Sequence, residues 1–199
     1  MLLPQALLRS GIRLEPMVAT DVARAVAGAT RDYLGQWGGI TQLLTVETGW
    51  VGDFEQFSRI LVETIPTLDT LREARAMAGR TPALYLPGTG ALVNGGLVAG
   101  RTTADMGEAL DNPAVAARVA LHLAHEVAGH AYMAENTPLG GAHANAGRRR
   151  DAMAFAGRII ASAGDGTADR EYLDLASRFV IIAEGWACWV TEKLRPLLA

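Results

Sequence analysis

The sequence predicts a mainly α fold, a single-domain helical bundle with a small β-hairpin or short sheet before its third helix. Three observations support this prediction. The chain has 199 residues, which is the size of one domain, so 1–199 is treated as a single unit. Half of the residues are hydrophobic and 20% are charged, a composition that intrinsically disordered chains do not have. Apolar residues recur at helical spacing over most of the chain, and only one short segment has strand character.

The first two helical segments are identified by their caps and their periodicity. Thr20 or Asp21 can cap a helix whose apolar positions keep helical spacing until Gly35 ends it. A second segment over about 54–77 has apolar side chains at a period of about 3.6. Pro66 lies inside this segment, so a kink or a break is expected there.

Residues 81–100 carry no charged side chain and are about as long as a membrane-spanning helix. Two prolines and five glycines in this stretch would leave backbone groups without partners in lipid, which argues against a membrane span. Residues 83–86 and 91–93 instead predict a hairpin around a Pro-Gly turn. Residues 95–98 are expected to add a further strand.

The third helix has the clearest start in the sequence. Asn112 is a good N-cap, Pro113 suits the first helical position, and apolar residues continue to Met133. A Gly- and Pro-rich loop is expected over 136–147.

Two further helices are predicted in the rest of the chain, over about 148–163 and about 168–194. The last of these is apolar nearly all round between Phe179 and Trp189. A helix of that kind is expected to be buried.

Charge and cysteine content exclude several classes of partner. The formal net charge is −3 and the isoelectric point is about 5.8, so no basic field exists to bind a phosphate backbone. The single cysteine, Cys188, cannot form an internal disulfide, and no secretory segment is recognised. We therefore expect a cytoplasmic protein with no nucleic-acid and no membrane partner, and leave a homo-oligomer open.

The most informative segment is 125–130, which has the form HExxxH and lies on the predicted third helix. Chance placement gives only about 0.003 such matches in a chain of this composition. Histidines five residues apart point about 140° away from each other on a regular α-helix, so a regular helix would not bring both to one ion. Gly129 can relax the backbone into a π-type turn, which inserts one residue. A locally widened helix is therefore predicted over Val127–His130.

Two alternatives remain open for these histidines. On a straight helix, His122, Glu126 and His130 would form the ligand set, because they are spaced by four residues each. Alternatively, His125 and His130 are hydrogen-bonded core residues without a metal.

Glu184 is the candidate for a third metal ligand from elsewhere in the chain. It is the one carboxylate within the apolar part of the last helix, where burial without a cation would be costly. The alternative partner is an arginine such as Arg158 or Arg178.

The motif HExxGH at 125–130, followed by EGWA at 184–187, resembles the helical gluzincin zinc metallopeptidases. The similarity is greatest to the bacterial group whose signature is HExxPGHH with a later EGWA, and the histidine spacing is similar to that of dipeptidyl peptidase III. The chain has Ala128 where the bacterial signature has proline and Ala131 where it has a second histidine.

This resemblance implies that His125, His130 and Glu184 hold one Zn²⁺ per chain and that Glu126 is the general base. It implies a zinc-dependent hydrolase of the metallopeptidase type, in which a metal-bound water attacks a peptide or a small amide. His143 is the first candidate to stabilise the oxyanion, because it follows the motif on the expected loop.

Other candidate site residues and other functions stay open beside this interpretation. Tyr132 and Tyr172 are the other candidate oxyanion donors, and the strand segment 85–98 could bind an extended peptide along its edge. The alternative functions are a metal-dependent biosynthetic enzyme, such as a lyase, cyclase or isomerase, and a non-catalytic helical binding module.

Overall fold

A computed structural model describes most of the chain, namely residues 14–17, 19–36, 46–65, 68, 70–87, 90–147 and 167–198. The fold is mainly helical, with one four-stranded sheet whose strands all precede the third predicted helix, as expected from the sequence.

The chain begins with a short strand, β1 (Glu15–Pro16), and a helix, α1 (Asp21–Gly35). The hydroxyl of Thr20 accepts a hydrogen bond from the Ala23 N–H at 3.2 Å and so caps α1 as predicted.

The sheet contains three further strands, β2 (Thr48–Val51), β3 (Ala83–Leu86) and β4 (Gly90–Asn94). Its order is β1-β2-β4-β3, with β2 and β4 parallel and the two outer pairs antiparallel. The β3–β4 hairpin confirms the predicted one, and it leaves β3 at an edge of the sheet. Gly90 starts β4 at a φ of +121°, where a Cβ would lie 2.2 Å from the Glu47 carbonyl oxygen.

The predicted helix over 54–77 is divided into two helices, α2 (Phe54–Thr64) and α3 (Leu71–Ala78), as the proline suggested. Pro66 itself lies outside the described residues. Thr70 and Glu73 form a capping box at the start of α3. Both helices pack on the sheet through a core cluster of Val51, Phe57, Ile60, Leu61, Ala74, Ala78, Leu86 and Leu92.

The further strand expected over 95–98 is wrong, because these residues form a short helix, α4 (Gly95–Ala99), which is followed by α5 (Met106–Leu110). The Asn94 side chain decides this outcome. Its oxygen accepts a hydrogen bond from the Leu97 N–H at 3.2 Å, which caps a helix, and its amide donates to the Ala78 carbonyl at 3.0 Å.

The third helix starts at the predicted cap and is longer than predicted. It consists of α6 (Pro113–Ala124), a π-helix (His125–Ala131) and α7 (Tyr132–Asn136), which are continuous. We call this 113–136 segment the motif helix.

The loop expected over 136–147 is wrong, because residues 138–147 are helical and form α8. The Thr137 hydroxyl accepts a hydrogen bond from the Gly140 N–H at 3.0 Å, and Pro138 takes the first helical position. The Gly and Pro content therefore marks a tight helix-to-helix junction rather than a loop.

The last helix, α9 (Thr167–Leu198), confirms the predicted element but not its burial. Val180, Ile181 and Ile182 are 54%, 74% and 50% exposed. Among the residues that the structure describes, those of α9 that are buried share one face of the helix, namely Ala183, Ala187, Val190, Thr191 and Leu194. The helix predicted over 148–163 lies outside the described residues. None of the helices in the described part of the chain is long and apolar enough to cross a membrane.

The main core lies between the sheet, α1, the motif helix and α9. Its largest fully buried side chains include Leu34, Trp50, Leu123 and Leu194. The Trp50 indole N–H donates to the Ala104 carbonyl at 3.0 Å, so its polar atom is satisfied inside the core. The motif helix is thus held on three sides.

Replacing Asn112 by alanine should lower the free energy of unfolding by about 1 kcal/mol, because its side chain caps the motif helix. The side-chain oxygen accepts hydrogen bonds from the Ala114 and Val115 N–H groups at 3.0 and 3.4 Å. Urea denaturation followed by circular dichroism measures the change. Asn112→Asp keeps an acceptor and should stay close to wild type, so equal losses in both variants would contradict the capping role.

Candidate metal centre

The π-helix brings the two motif histidines to one side of the motif helix. It covers seven residues, 125–131, and so includes the widened turn that was predicted over Val127–His130. The Nε2 atoms of His125 and His130 lie 3.1 Å apart, and the two ring centroids are separated by 4.9 Å. The longer π repeat removes the angular separation that a regular helix would impose.

Helix α9 crosses the motif helix directly over this π turn. A Cβ built on Gly129 would lie 2.3 Å from the Cβ and 2.7 Å from the Cα of Ala187, so only glycine permits the approach. The Trp186 indole N–H donates to the Ala128 carbonyl at 2.9 Å, and its ring packs against Tyr132. The crossing fixes both helices where the two sequence motifs meet.

Glu184 lies one turn before Ala187, and the crossing therefore places it over the histidines. Its Oε2 is 3.6 Å from His125 Nε2, and its Oε1 is 3.4 Å from His130 Nε2. The side chain is 54% exposed, so the expectation of a carboxylate buried in an apolar helix is wrong, because α9 turns this face to the cavity. Of the alternative partners, Arg178 pairs with Asp174 at 3.0 Å, and Arg158 lies outside the described residues.

The separations among these three side chains fit ligands of one ion. Zinc bonds of about 2.0–2.1 Å in tetrahedral geometry place the ligand atoms about 3.3–3.4 Å apart. The observed separations are 3.1 Å between the two Nε2 atoms, 3.4 Å from His130 Nε2 to Glu184 Oε1 and 3.6 Å from His125 Nε2 to the other carboxylate oxygen, Oε2. The two carboxylate contacts are longer than typical charge-assisted hydrogen bonds.

The protonation of the histidines agrees with a ligand role. Burial lowers the pKa of both His125 and His130, although the nearby Glu184 carboxylate acts in the opposite direction. The imidazoles are therefore neutral at physiological pH, and the neutral form is the one that binds metal.

Glu126 lies beside the histidines in a different environment. It is 7% exposed, and its Oε2 accepts a hydrogen bond from the Tyr85 backbone N–H at 2.7 Å. Burial raises the pKa of this carboxyl to about 7, while the Tyr85 hydrogen bond opposes the shift. Ligand atoms of Glu126, His125 and His130 all lie within 4.8 Å of one another.

Two carboxylates therefore compete for the role of third ligand. Glu184 approaches both imidazoles at contact distances that fit a shared ion, whereas one oxygen of Glu126 is already held by the strand. This arrangement favours Glu184 as the ligand. It leaves Glu126 as a buried carboxylate beside the two imidazoles.

His143 lies on α8 and not on a loop, and the structure places its ring in an aromatic stack. Its ring is nearly parallel to that of Phe179, with centroids 4.7 Å apart, and it also stacks on Tyr172 at 5.3 Å. Burial lowers the pKa of His143. Because Phe179 precedes Glu184 by five residues on α9, His143 is offset from the ligand group by about 7.5 Å along that helix.

One cavity of about 1390 Å³ is lined by His125, Glu126, His130, His143 and Glu184. His122 also lies there, one turn before His125. The β3 edge forms one wall, and the apolar part of the lining includes Ile65, Met77, Leu121, Phe179 and Val180.

Tyr85 is the residue that sequence analysis missed. Its backbone N–H binds Glu126, and its hydroxyl donates to Glu135 on α7. Only its place in the predicted strand segment 85–98 could have indicated it, because no local pattern shows that β3 lies against the motif helix.

Comparison of the chain with family models, with characterised proteins and with solved structures finds no significant match. The assignment of the site therefore rests on its geometry and chemistry.

The ligand set predicts that the purified protein binds about one zinc ion per chain. Loss of a residue that only supports a metal ligand lowers metal affinity by about 10–100-fold. His125→Ala and Glu184→Ala should each weaken zinc binding by more than this. Elemental analysis and competitive titration with a chelator measure this. His122→Ala is the matched control, and it should keep the metal. Loss of zinc in His122→Ala with retention in Glu184→Ala would instead support the set His122, Glu126 and His130.

Gly129→Ala should separate the two helices, because the added methyl group would occupy the position of Ala187. We expect a loss of about 3 kcal/mol in the free energy of unfolding and weaker zinc binding, since Glu184 moves with α9. The control is Gly185→Ala, where a Cβ meets no atom of the described chain within 4 Å. This control should be neutral or slightly stabilising. Wild-type stability and zinc affinity in Gly129→Ala would contradict the role of the crossing.

Proposed function

We propose that the chain is a zinc-dependent hydrolase of the metallopeptidase type that cleaves a peptide or a small amide. One observation carries the proposal. Two imidazoles from the motif helix and one carboxylate from α9 converge at 3.1–3.6 Å, next to the buried carboxylate of Glu126.

The residues that would hold the metal are His125, His130 and Glu184, which leaves a fourth position open as catalytic zinc sites require. Zinc in such a site lowers the pKa of a coordinated water towards about 7 and polarises a carbonyl group. Two neutral nitrogens and one carboxylate oxygen are ligands that zinc accepts readily.

Glu126 supports hydrolysis through its position and its surroundings. The Tyr85 N–H holds Oε2 at 2.7 Å, so the carboxylate has a fixed orientation and its second oxygen is left for proton transfer. The Glu126 side chain is buried, so bulk water does not compete for its carboxylate. Glu184 has the same functional group but is 54% exposed, and we assign it to metal binding.

The wall formed by β3 supports a peptide-like substrate. Because β3 is an edge strand that lines the cavity, an extended chain could pair with its outward-facing backbone groups other than the Tyr85 N–H, which Glu126 already binds. The cavity volume of about 1390 Å³ exceeds the about 300–1,000 Å³ of typical small-molecule pockets, which favours an elongated ligand. His143 lines the same cavity, and its role as an oxyanion donor stays a prediction.

Glu126→Gln should keep the zinc and lose hydrolysis, because glutamine has a similar shape but cannot accept the proton. We expect kcat to fall by about 10²–10⁴-fold, the usual contribution of general base catalysis. The measurement is cleavage of a panel of short peptides, analysed by mass spectrometry, with zinc content determined in parallel.

Glu108→Gln serves as the matched control, since Glu108 is an exposed glutamate paired with Arg101 outside the cavity. It should have wild-type activity. Wild-type turnover in Glu126→Gln, or cleavage that survives removal of zinc by a chelator, would refute the proposed mechanism.

A further inference from the structure

Tyr85 connects the edge of the sheet to the motif helix through two carboxylates. Its backbone N–H donates to Glu126, and its side-chain hydroxyl donates to Glu135 Oε1. The tyrosine is 8% exposed and lies in the middle of β3. One residue of the strand therefore contacts the motif helix at two points that are nine residues apart.

The direction of the first hydrogen bond follows from the sheet. β3 pairs with β4 in antiparallel register, with Tyr85 opposite Ala91. The Tyr85 N–H reaches Glu126, so it points away from β4 and towards the open edge. Any displacement of β3 at this position would move the group that orients the Glu126 carboxylate.

The second hydrogen bond holds β3 through the Tyr85 side chain. Glu135 belongs to α7, which continues the π-helix without a break, so its carboxylate is attached to the same rigid element as Glu126. Burial, followed by the contact with Glu135, raises the pKa of the Tyr85 hydroxyl above its usual value. The hydroxyl is therefore protonated, and it acts as the donor to Glu135.

We propose that Glu135 is a positioning residue, which acts through the Tyr85 hydroxyl to fix the β3 edge and thereby the N–H group that orients Glu126. The proposal rests on the proposed function in one respect only, namely that Glu126 is the base. Glu135 needs no contact with the substrate for this role. Its loss leaves the three metal ligands unchanged and allows the strand to move relative to the carboxylate.

The kinetic test compares Glu135→Ala and Tyr85→Phe with Glu135→Gln. Misplacement of a reacting group by about 1 Å costs up to about 10²-fold in rate, so we expect kcat to fall by about 10–100-fold in the first two variants. KM and zinc content should stay close to wild type, because substrate binding and the ligands are unchanged. Glu135→Gln should stay within about threefold of wild type, since its amide oxygen still accepts a hydrogen bond from the Tyr85 hydroxyl.

Glu108→Ala is the matched control, because it also removes an exposed glutamate that has a partner, here Arg101. It should have wild-type kcat and KM. An equal loss in Glu135→Gln and Glu135→Ala would overturn the proposal, because it would show that the charge matters and the hydrogen bond does not. Wild-type kcat in both Glu135→Ala and Tyr85→Phe would also overturn it.

A second measurement needs no activity and separates this inference from the proposed function. In the wild-type protein the Tyr85 amide should exchange slowly with solvent, because it is buried and hydrogen-bonded to Glu126. In Glu135→Ala its exchange should be at least about tenfold faster, and in Glu135→Gln it should be unchanged. Unchanged exchange in Glu135→Ala would refute the positioning role even if the wild-type enzyme hydrolyses peptides. Faster exchange in a protein that binds zinc but hydrolyses nothing would support the positioning of the carboxylate and refute the proposed function.

Discussion

The close contact between Gly129 and Ala187 is the constraint on which the site depends. The absence of a side chain at position 129 lets α9 lie directly on the π turn, with atoms that would overlap a Cβ at 2.3 Å. Two sequence motifs that are more than fifty residues apart therefore meet at one point. The π turn brings the histidines together, and the crossing adds Glu184 from the other helix. The set His125, His130 and Glu184 therefore draws on both helices, whereas the alternative set of His125, Glu126 and His130 lies on the motif helix alone.

The two carboxylates beside the histidines have different environments, and this difference supports the different roles that we propose for them. Glu184 is more than half exposed and faces two imidazoles, whereas Glu126 is buried and bound by a strand N–H. Burial raises the pKa of Glu126 to about 7. Groups of the same type that are held in different surroundings are a general sign of divided roles in catalytic sites.

The sequence predicted those parts of the site that depend on local chemistry. The five-residue histidine spacing together with Gly129 predicted the π turn, and Glu184 was identified as a lone carboxylate in an apolar segment. The predicted burial of Glu184 was wrong, because exposure is decided by which face of α9 packs. The helix after Thr137-Pro138 was missed although these residues form a cap. Tyr85 was not identified, because its contacts join segments that only the tertiary fold brings together.

We propose that His125, His130 and Glu184 share one cation. Anomalous X-ray scattering at the zinc edge, from crystals grown with zinc, tests it most directly. We expect one strong anomalous peak at about 2.0–2.2 Å from both Nε2 atoms and from a Glu184 oxygen, with Glu126 outside bonding distance. A peak bonded to Glu126 while Glu184 points away, or no peak between the two histidines, would contradict it.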